Sequence, residues 1–351
     1  MRSSKFLHAF STAFHSSRGL TTLLCVAFVC LLSLSAESIA SAQETEAVDD
    51  VLRTSTELLI FPVRVRNRHK EPVKSLSESE FTVVDKDRVT AGLYLHPGVD
   101  RVALVFALDQ SGSTQQIISQ QRDAALGLLN RFGDQSQIGI IRFTSTPKLV
   151  VAFGRDISAA RDAFNFRAAG NERTALFDAA DLAVKSFEAL PRIRSERRIV
   201  ILISDGLDNA SHIRHDEVIK AANANRVSFY VIHIPLFTPS DGRLIVRPPA
   251  SGFRDLAEKT GGKYFLAGDA RSALSSETNI DLAPMFKAIE DDLKGQHLIG
   301  FYLNESANDG RRHEFSLAMP AGYEYQVIGR GFSRKHNFFV ANPREALRRT
   351  H

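Results

Sequence analysis

Val102–Leu108 (VALVFAL) is an unbroken apolar run, and it limits the possible folds more than any other feature. A strand wetted on one face alternates apolar with polar residues, whereas a strand that is apolar throughout is buried on both faces. Ile199–Ile203 and Ser228–Ile234 have the same character. Helical periodicity marks Ile117–Phe132, Ser158–Phe166, Ala175–Leu190, Asp216–Asn225, Gly252–Thr260 and Leu282–Leu293. Ile138–Phe143 and Leu149–Phe153 read as a hairpin across Thr144–Pro147, and Tyr264–Leu266 as a short edge strand. Strands alternating with helices predict an α/β domain over residues 101–294, built on a doubly wound, mostly parallel sheet.

The flanks differ. Residues 1–42 order three basic side chains (Arg2, Lys5, Arg18), an apolar run (Leu20–Leu34) and Ala40-Ser41-Ala42, which predicts a cleaved signal peptide. The expected locale is therefore periplasmic or extracellular, with no later segment apolar enough to span a membrane. Cys25 and Cys30 both lie in the leader, so the remaining chain has neither disulfides nor thiolate metal sites. Residues 43–55 read as a linker. A β segment at 56–100 and another at 295–332 are each too small to form a sheet of their own, and are expected to pair into a β-sandwich-like module. Residues 333–351 read as a solvated basic tail. The formal charge of +4 falls to +2 without the leader, too balanced to argue for nucleic acid.

Chemistry concentrates where the first buried strand ends. Asp109-Gln110-Ser111-Gly112-Ser113 places one carboxylate and two hydroxyls on a tight loop. Asp205 follows the strand Ile199–Ile203, and Thr174 precedes the helix from Ala175. Ligands of doubly wound sheets collect beyond the carboxyl ends of the strands, so these residues are expected on one face. Asp, Ser and Thr offer hard oxygen ligands without His or Cys, which favours Mg²⁺, with Mn²⁺ or Ca²⁺ as substitutes, over zinc or copper.

These residues resemble the metal-ion-dependent adhesion site (MIDAS) of von Willebrand factor type A (VWA) domains. The resemblance implies a Rossmann-like VWA sheet, direct metal ligation by Ser111, Ser113 and Thr174, and action of Asp109 and Asp205 largely through water. A narrower similarity, to exported bacterial VWFA-related proteins, runs through Phe61–Val84, Thr174–Asp178 (TALFD), Ile203–Asn209 (ISDGLDN), Thr260–Phe265 (TGGKYF), His297–Tyr302 (HLIGFY) and Gly329-Arg330-Gly331-Phe332. Arg173 departs from the glycine frequent in relatives, and is expected to narrow the mouth of the site or place a cation there.

Asp208 is expected to tune the site, to cap a helix or to face solvent. His212 and His215 lack a third ligand at zinc spacing, and His233 falls in an apolar strand as a hydrogen-bonded core residue. The loop Pro235–Ser251 leaves the carboxyl end of Ser228–Ile234 and is expected on the metal face; it is either a floppy insertion or a contact surface in which Arg243 and Arg247 meet an acidic partner. The implied function is metal-dependent binding of a protein or other ligand offering a carboxylate, not catalysis. The alternatives are a metal-free envelope scaffold and a metal-dependent hydrolase. There is no G-x-S-x-G elbow, HExxH or Cys nucleophile to support the hydrolase.

Overall fold

The computed structural model describes residues 58–340 apart from positions 74, 86, 87, 90–92, 98, 100, 113, 133, 170–172, 192, 194, 195, 270–279, 303–312, 320 and 329–337. The expected leader and linker, Ser113, the Gly329–Phe332 motif and all but three residues of the tail lie outside the described residues. In chain order, β1 (Leu58–Arg66), β2 (Thr82–Asp85), β3 (Arg88–Val89) and β4 (Leu93–Pro97) lead into β5 (Arg101–Asp109). There follow α1 (Gln115–Gln120), α2 (Arg122–Leu129), β6 (Gln137–Phe143), β7 (Lys148–Gly154), α3 (Ile157–Ala163) and α4 (Leu176–Ser186). Next come β8 (Glu196–Ser204), α5 (His215–Ala224), β9 (Val227–His233), β10 (Phe237–Ser240), β11 (Arg243–Val246), α6 (Phe253–Glu258) and β12 (Tyr264–Leu266). The described chain closes with α7 (Ala283–Lys294), β13 (Gln296–Tyr302), β14 (His313–Ala318), β15 (Glu324–Val327) and β16 (Phe338–Val340).

The central sheet has the order β12-β9-β8-β5-β6-β7. Every pairing is parallel except the edge hairpin of β6 with β7. The apolar run of β5 is buried on both sides. Val102, Leu104, Phe106 and Leu108 pack with Ile118, Leu126, Phe286 and Ile289 from α1, α2 and α7. Ala103, Val105 and Ala107 pack with Ala179, Ala180 and Ala183 of α4 and with Val218 and Phe253. Where α4 meets β5 the facing residues are mostly alanines, small enough for the helix to lie close on the sheet.

The flanks interleave. One sheet has the order β15-β1-β13-β4, the other β16-β14-β2-β3, so each draws strands from both ends of the chain. Val63, Val65, Phe81, Val83, Ile299, Phe301, Leu317 and Tyr325 fill the space between them. The tail therefore supplies a strand, β16, which pairs with β14 from His313 to Phe315. Its Phe338-Phe339-Val340 run is a β-forming tripeptide among charged neighbours, too short to show as a period.

Two further differences from the sequence reading have local causes. The helix expected over Ile117–Phe132 is broken at Gln121 (φ −92°, ψ 7°), whose side-chain Oε1 accepts the Leu282 N–H at 3.1 Å just before α7. The loop Pro235–Ser251 contains the hairpin β10–β11, whose two turn residues, Asp241 and Gly242, both have positive φ (48° and 73°). Asp-Gly at such a turn is the expected chemistry for a two-residue hairpin.

A buried ionic cluster joins β1 to α7. Arg64 donates to Asp292 Oδ2 and Gln326 Oε1, both at 2.5 Å, and to the Gly261 carbonyl at 3.0 Å. Tyr230 donates to the same Asp292 oxygen at 2.7 Å, while Lys263 Nζ stands 2.7 Å from Asp292 Oδ1 as an ion pair. Burial opposes the Asp292 charge, but Arg64 and Lys263 outweigh it and hold the carboxyl below its ordinary value.

Two stability measurements test this architecture. Phe106 is wholly buried and lies edge-on to Phe164 at 5.2 Å, so Phe106→Ala should cost about 3–5 kcal/mol in denaturant unfolding. Asp292→Asn leaves the buried Arg64 and the partly exposed Lys263 without their counter-charge and should cost about 3–5 kcal/mol near neutral pH. Because the folded Asp292 pKa is lowered, its contribution is complete above the ordinary carboxyl value of 3.8 and is lost as pH falls through the folded pKa. The gap between wild type and Asp292→Asn should therefore narrow in acid; a gap that stays constant would contradict the pairing.

Candidate functional site

The chain leaves β5 toward β6 on one side and later returns to place β8 on the other. The crevice beyond these two strand ends is the topological switch point, where doubly wound sheets hold ligands. Asp109 is the last residue of β5, and Asp205 is the first after β8. The parallel register, Leu108 opposite Ile203, brings both acids to the same end of the sheet.

The loop after β5 is tied down at Asp109, Gln110, Ser111 and Thr114. Asp109 is fully buried; its Oδ1 accepts the Ser111 N–H at 2.9 Å, and its Oδ2 accepts the Ser204 hydroxyl at 2.6 Å. Thr114, also fully buried, donates through Oγ1 to the Asp109 carbonyl at 2.8 Å. Ser111 Oγ lies 3.1 Å from Thr114 Oγ1. The Ser111 hydroxyl also hydrogen-bonds the Asp109 carboxyl, and whichever oxygen takes its proton, Ser111 Oγ keeps lone pairs for an ion. Gln110 reaches both ways: its N–H donates to Phe143 O at the end of β6, and its carbonyl accepts the Ala169 N–H.

Thr174 is fixed against the loop of Asp205. The Thr174 N–H donates to Asn209 Oδ1 at 2.7 Å, and the Thr174 carbonyl accepts the N–H groups of Asn209 and Ala210. The next residue, Ala175, donates its N–H to Thr144 O beside β6 at 2.7 Å. The Thr174 hydroxyl makes no hydrogen bond among the described residues. Asp205 Oδ1 accepts the Leu207 N–H at 3.0 Å, and the Asp205 carbonyl accepts Nε2–H of the buried His233 at 2.9 Å. Since a carbonyl only accepts, the His233 proton sits on Nε2, and the Tyr264 hydroxyl donates to Nδ1. Burial holds the His233 pKa below its usual value, which favours this neutral form. Gly206 has φ +79°, and a Cβ there would stand 2.6 Å from Pro249, so the turn after Asp205 needs glycine.

Burial first, and then the charge of Asp205, push the Asp109 carboxyl up to about 6; the donors Ser204 and Ser111 pull the other way. No basic side chain pairs with Asp109 among the described residues. No group of three or more His, Cys, Asp or Glu that could hold a metal occurs among them either. An ion at the switch point would therefore meet two carboxylates and hydroxyls, a hard oxygen set that fits Mg²⁺.

Asp109, Ser111, Thr174 and Asp205 thus lie on three loops knitted together at one sheet end, while Ser113 lies outside the described residues. Asp208 has a different task. Its Oδ1 accepts the Leu176 N–H at the start of α4 at 2.9 Å and the Ser211 hydroxyl at 2.5 Å, which fastens the helix entrance. Arg173 is exposed and donates to the Asn209 carbonyl, bracing the same loop. Arg243 opens β11 and Arg247 directly follows it, and neither side chain hydrogen-bonds the three loops among the described residues. The exposed His212 pairs with Asp178 at 3.0 Å, and His215 packs on Phe177, so the two serve α4 and α5. Sequence reasoning missed Thr114, Ser204 and Asn209. Ser204, next to Asp205, becomes recognisable only when strand register sets it against Asp109.

A family model described as von Willebrand factor type A domain matches residues 103–275. No curated protein matches the chain by sequence. Among solved structures, the chain is similar to the conserved hypothetical protein BatB from Bacteroides thetaiotaomicron, at 19% identity and TM-score 0.40 over 56% of this chain and 97% of that one. It is similar to a von Willebrand factor type A protein from Catenulispora acidiphila, at 13% identity and TM-score 0.42 over 84% and 79%. It is also similar to proximal thread matrix protein 1 of the mussel byssus, described with a zinc-occupied MIDAS motif, at 14% identity and TM-score 0.46 over 61% and 50%.

The internal bracing of the site is open to test without any ligand. Thr114→Val keeps the side-chain shape but removes the bond to the Asp109 carbonyl, and should cost about 1–2 kcal/mol in denaturant unfolding. An unchanged stability would show that the loop is held in another way.

Proposed function

Residues 103–275 are a von Willebrand factor type A domain, and from that premise we propose that the protein is exported and binds a carboxylate-bearing protein ligand through a divalent ion. Mg²⁺ is the ion of choice, with Mn²⁺ or Ca²⁺ as substitutes. Ser111, Ser113 and Thr174 would hold it directly through hydroxyl oxygens. Asp109 and Asp205 would balance its charge, largely through water.

The observation that carries this reading is the pair of buried acids at the switch point. Asp109 is fully buried beside the charge of Asp205, with no basic side chain to offset it among the described residues. Burial and the Asp205 charge disfavour ionisation of Asp109, and a cation between the two carboxylates would remove the conflict. Thr174 is a buried residue whose hydroxyl makes no hydrogen bond among the described residues, which leaves it available as a ligand on the facing loop. A bound ion would supply an electrophilic centre able to exchange a water for a partner's carboxylate. The protein's own part is to keep that centre rigid, through Thr114, Ser204 and Asn209.

Binding is favoured over hydrolysis because Asp208, the spare acid that a hydrolase would use as a base, is committed to Leu176 and Ser211. Export rests on the leader pattern of residues 1–42. No helix among the described residues is long and apolar enough to cross a membrane.

Thermal unfolding of the chain from Gln43 onward, in Mg²⁺ and in EDTA, tests the proposal. An ion that binds only the folded state at a hundredfold excess over its Kd adds about 2.7 kcal/mol. Wild type should melt higher in Mg²⁺, while Asp109→Ala and the Ser111→Ala, Ser113→Ala pair should melt alike in both. Equal melting of wild type in Mg²⁺ and EDTA, together with a blank calorimetric titration at high Mg²⁺, would leave a metal-free scaffold as the better reading.

A further inference from the structure

The hairpin β10–β11 stands with both feet beside Asp205. Ile234, at its entry, donates its N–H to the Ser204 carbonyl at 2.9 Å. Ala250, at its exit, donates to the Gly206 carbonyl at 2.8 Å. Between these anchors the two strands form a sheet of their own. A two-stranded hairpin is marginal in water, and each of its strands is an open edge.

The two edges are not equivalent. The Arg247 N–H donates to the Leu236 carbonyl at 2.7 Å, so that pair is hydrogen-bonded. Bonded and non-bonded pairs alternate along an antiparallel ladder. Thr238/Ile245 and Ser240/Arg243 are then the bonded pairs, and Phe237/Val246 and Pro239/Leu244 the non-bonded ones. In non-bonded pairs the N–H and C=O point outward. On β10 one of those outward positions is Pro239, which has no N–H, a common guard on an edge strand. On β11 the outward groups belong to Leu244 and Val246, which make no further backbone hydrogen bond among the described residues.

Side chains select what can join that edge. Arg243, Ile245 and Arg247 alternate onto one face, and all three are exposed, Ile245 at 48%. Neither guanidinium makes a hydrogen bond or ion pair among the described residues. The face therefore reads cation, apolar, cation, with about 13 Å between the two arginines along the strand.

We propose that the outer edge of β11 is a strand-addition site for an extended acidic segment of a partner protein, with the pattern acid–x–apolar–x–acid. The pattern reads the same in both strand directions, so it does not depend on whether the added strand runs parallel or antiparallel. Outward backbone groups of Leu244 and Val246 supply the ladder, and Arg243 and Arg247 face the two acids across Ile245. This inference rests on the metal-bridged recognition proposed above for the choice of an acidic partner on this face.

The test is fluorescence anisotropy of a labelled ten-residue peptide with a Glu-Thr-Val-Thr-Glu centre, titrated with the protein in Mg²⁺ and in EDTA. Wild type should bind it. The Arg243→Glu, Arg247→Glu pair should weaken binding by about tenfold or more with an unchanged thermal midpoint. That variant should instead bind a peptide with a Lys-Thr-Val-Thr-Lys centre, which wild type rejects. N-methylation of the peptide amides that face β11 should abolish binding. Equal binding by the double variant, full binding of the N-methylated peptide, or no wild-type binding at millimolar peptide would overturn the proposal. The two readings fail separately. If only strand addition is wrong, the Mg²⁺ shift in melting survives and the charge swap fails. If only the metal reading is wrong, the charge swap survives in EDTA and the Mg²⁺ shift is absent.

Discussion

The parallel pairing of β5 with β8, in the register that sets Leu108 against Ile203, is the constraint from which the functional face follows. One residue further along, Asp109 and Ser204 meet through a 2.6 Å hydrogen bond, and Asp205 emerges beside them. Two acids are thereby held at the end of a fully buried pair of strands, where neither can reach into solvent to relieve the other. Everything around them resists that tension. Thr114 closes the first loop on the Asp109 carbonyl, Asn209 binds the Thr174 loop to the Asp205 loop, and His233 supports the Asp205 backbone from β9. An unliganded site of this kind keeps an electrostatic conflict that a divalent cation would resolve.

A second buried charge problem lies at the other end of the domain and is solved internally. Asp292 is nearly as enclosed as Asp109, yet Arg64 and Lys263 keep it ionised, whereas Asp205 pushes Asp109 toward protonation. The contrast separates structural from functional burial. An acid supplied with cations by its own fold joins elements together; an acid supplied with another acid is, on the proposed reading, left for a cation from outside. The Arg64 cluster also ties the flanking β-sandwich to the α/β domain: β1 brings the arginine, α7 the aspartate and β15 the glutamine.

Much of the fold was legible because burial on two faces leaves an uninterrupted apolar run, as in β5, β8 and β9. The break at Gln121 was not, because it depends on a hydrogen bond to Leu282, 161 residues away. The hairpin β10–β11 was readable in principle from Asp241-Gly242, but the four prolines nearby suggested an irregular loop. For the site, the acids and hydroxyls could be named from their places after strands and before a helix. Their supports could not. Ser204, Thr114 and Asn209 are ordinary polar residues in the sequence, and only register and loop closure give them partners. Asp208 shows the reverse: an acid close to the site by sequence, but drawn off to fasten α4.

The central claim is spatial, that a divalent ion sits among Ser111, Thr174 and the carboxylates of Asp109 and Asp205. Anomalous diffraction from crystals grown in Mn²⁺ tests it most directly. The account predicts one strong anomalous peak at the switch point, within ligand distance of the Ser111 and Thr174 hydroxyls, and its loss in crystals of Asp109→Ala. A peak elsewhere on the molecule, or well-ordered crystals with none at all, would contradict it.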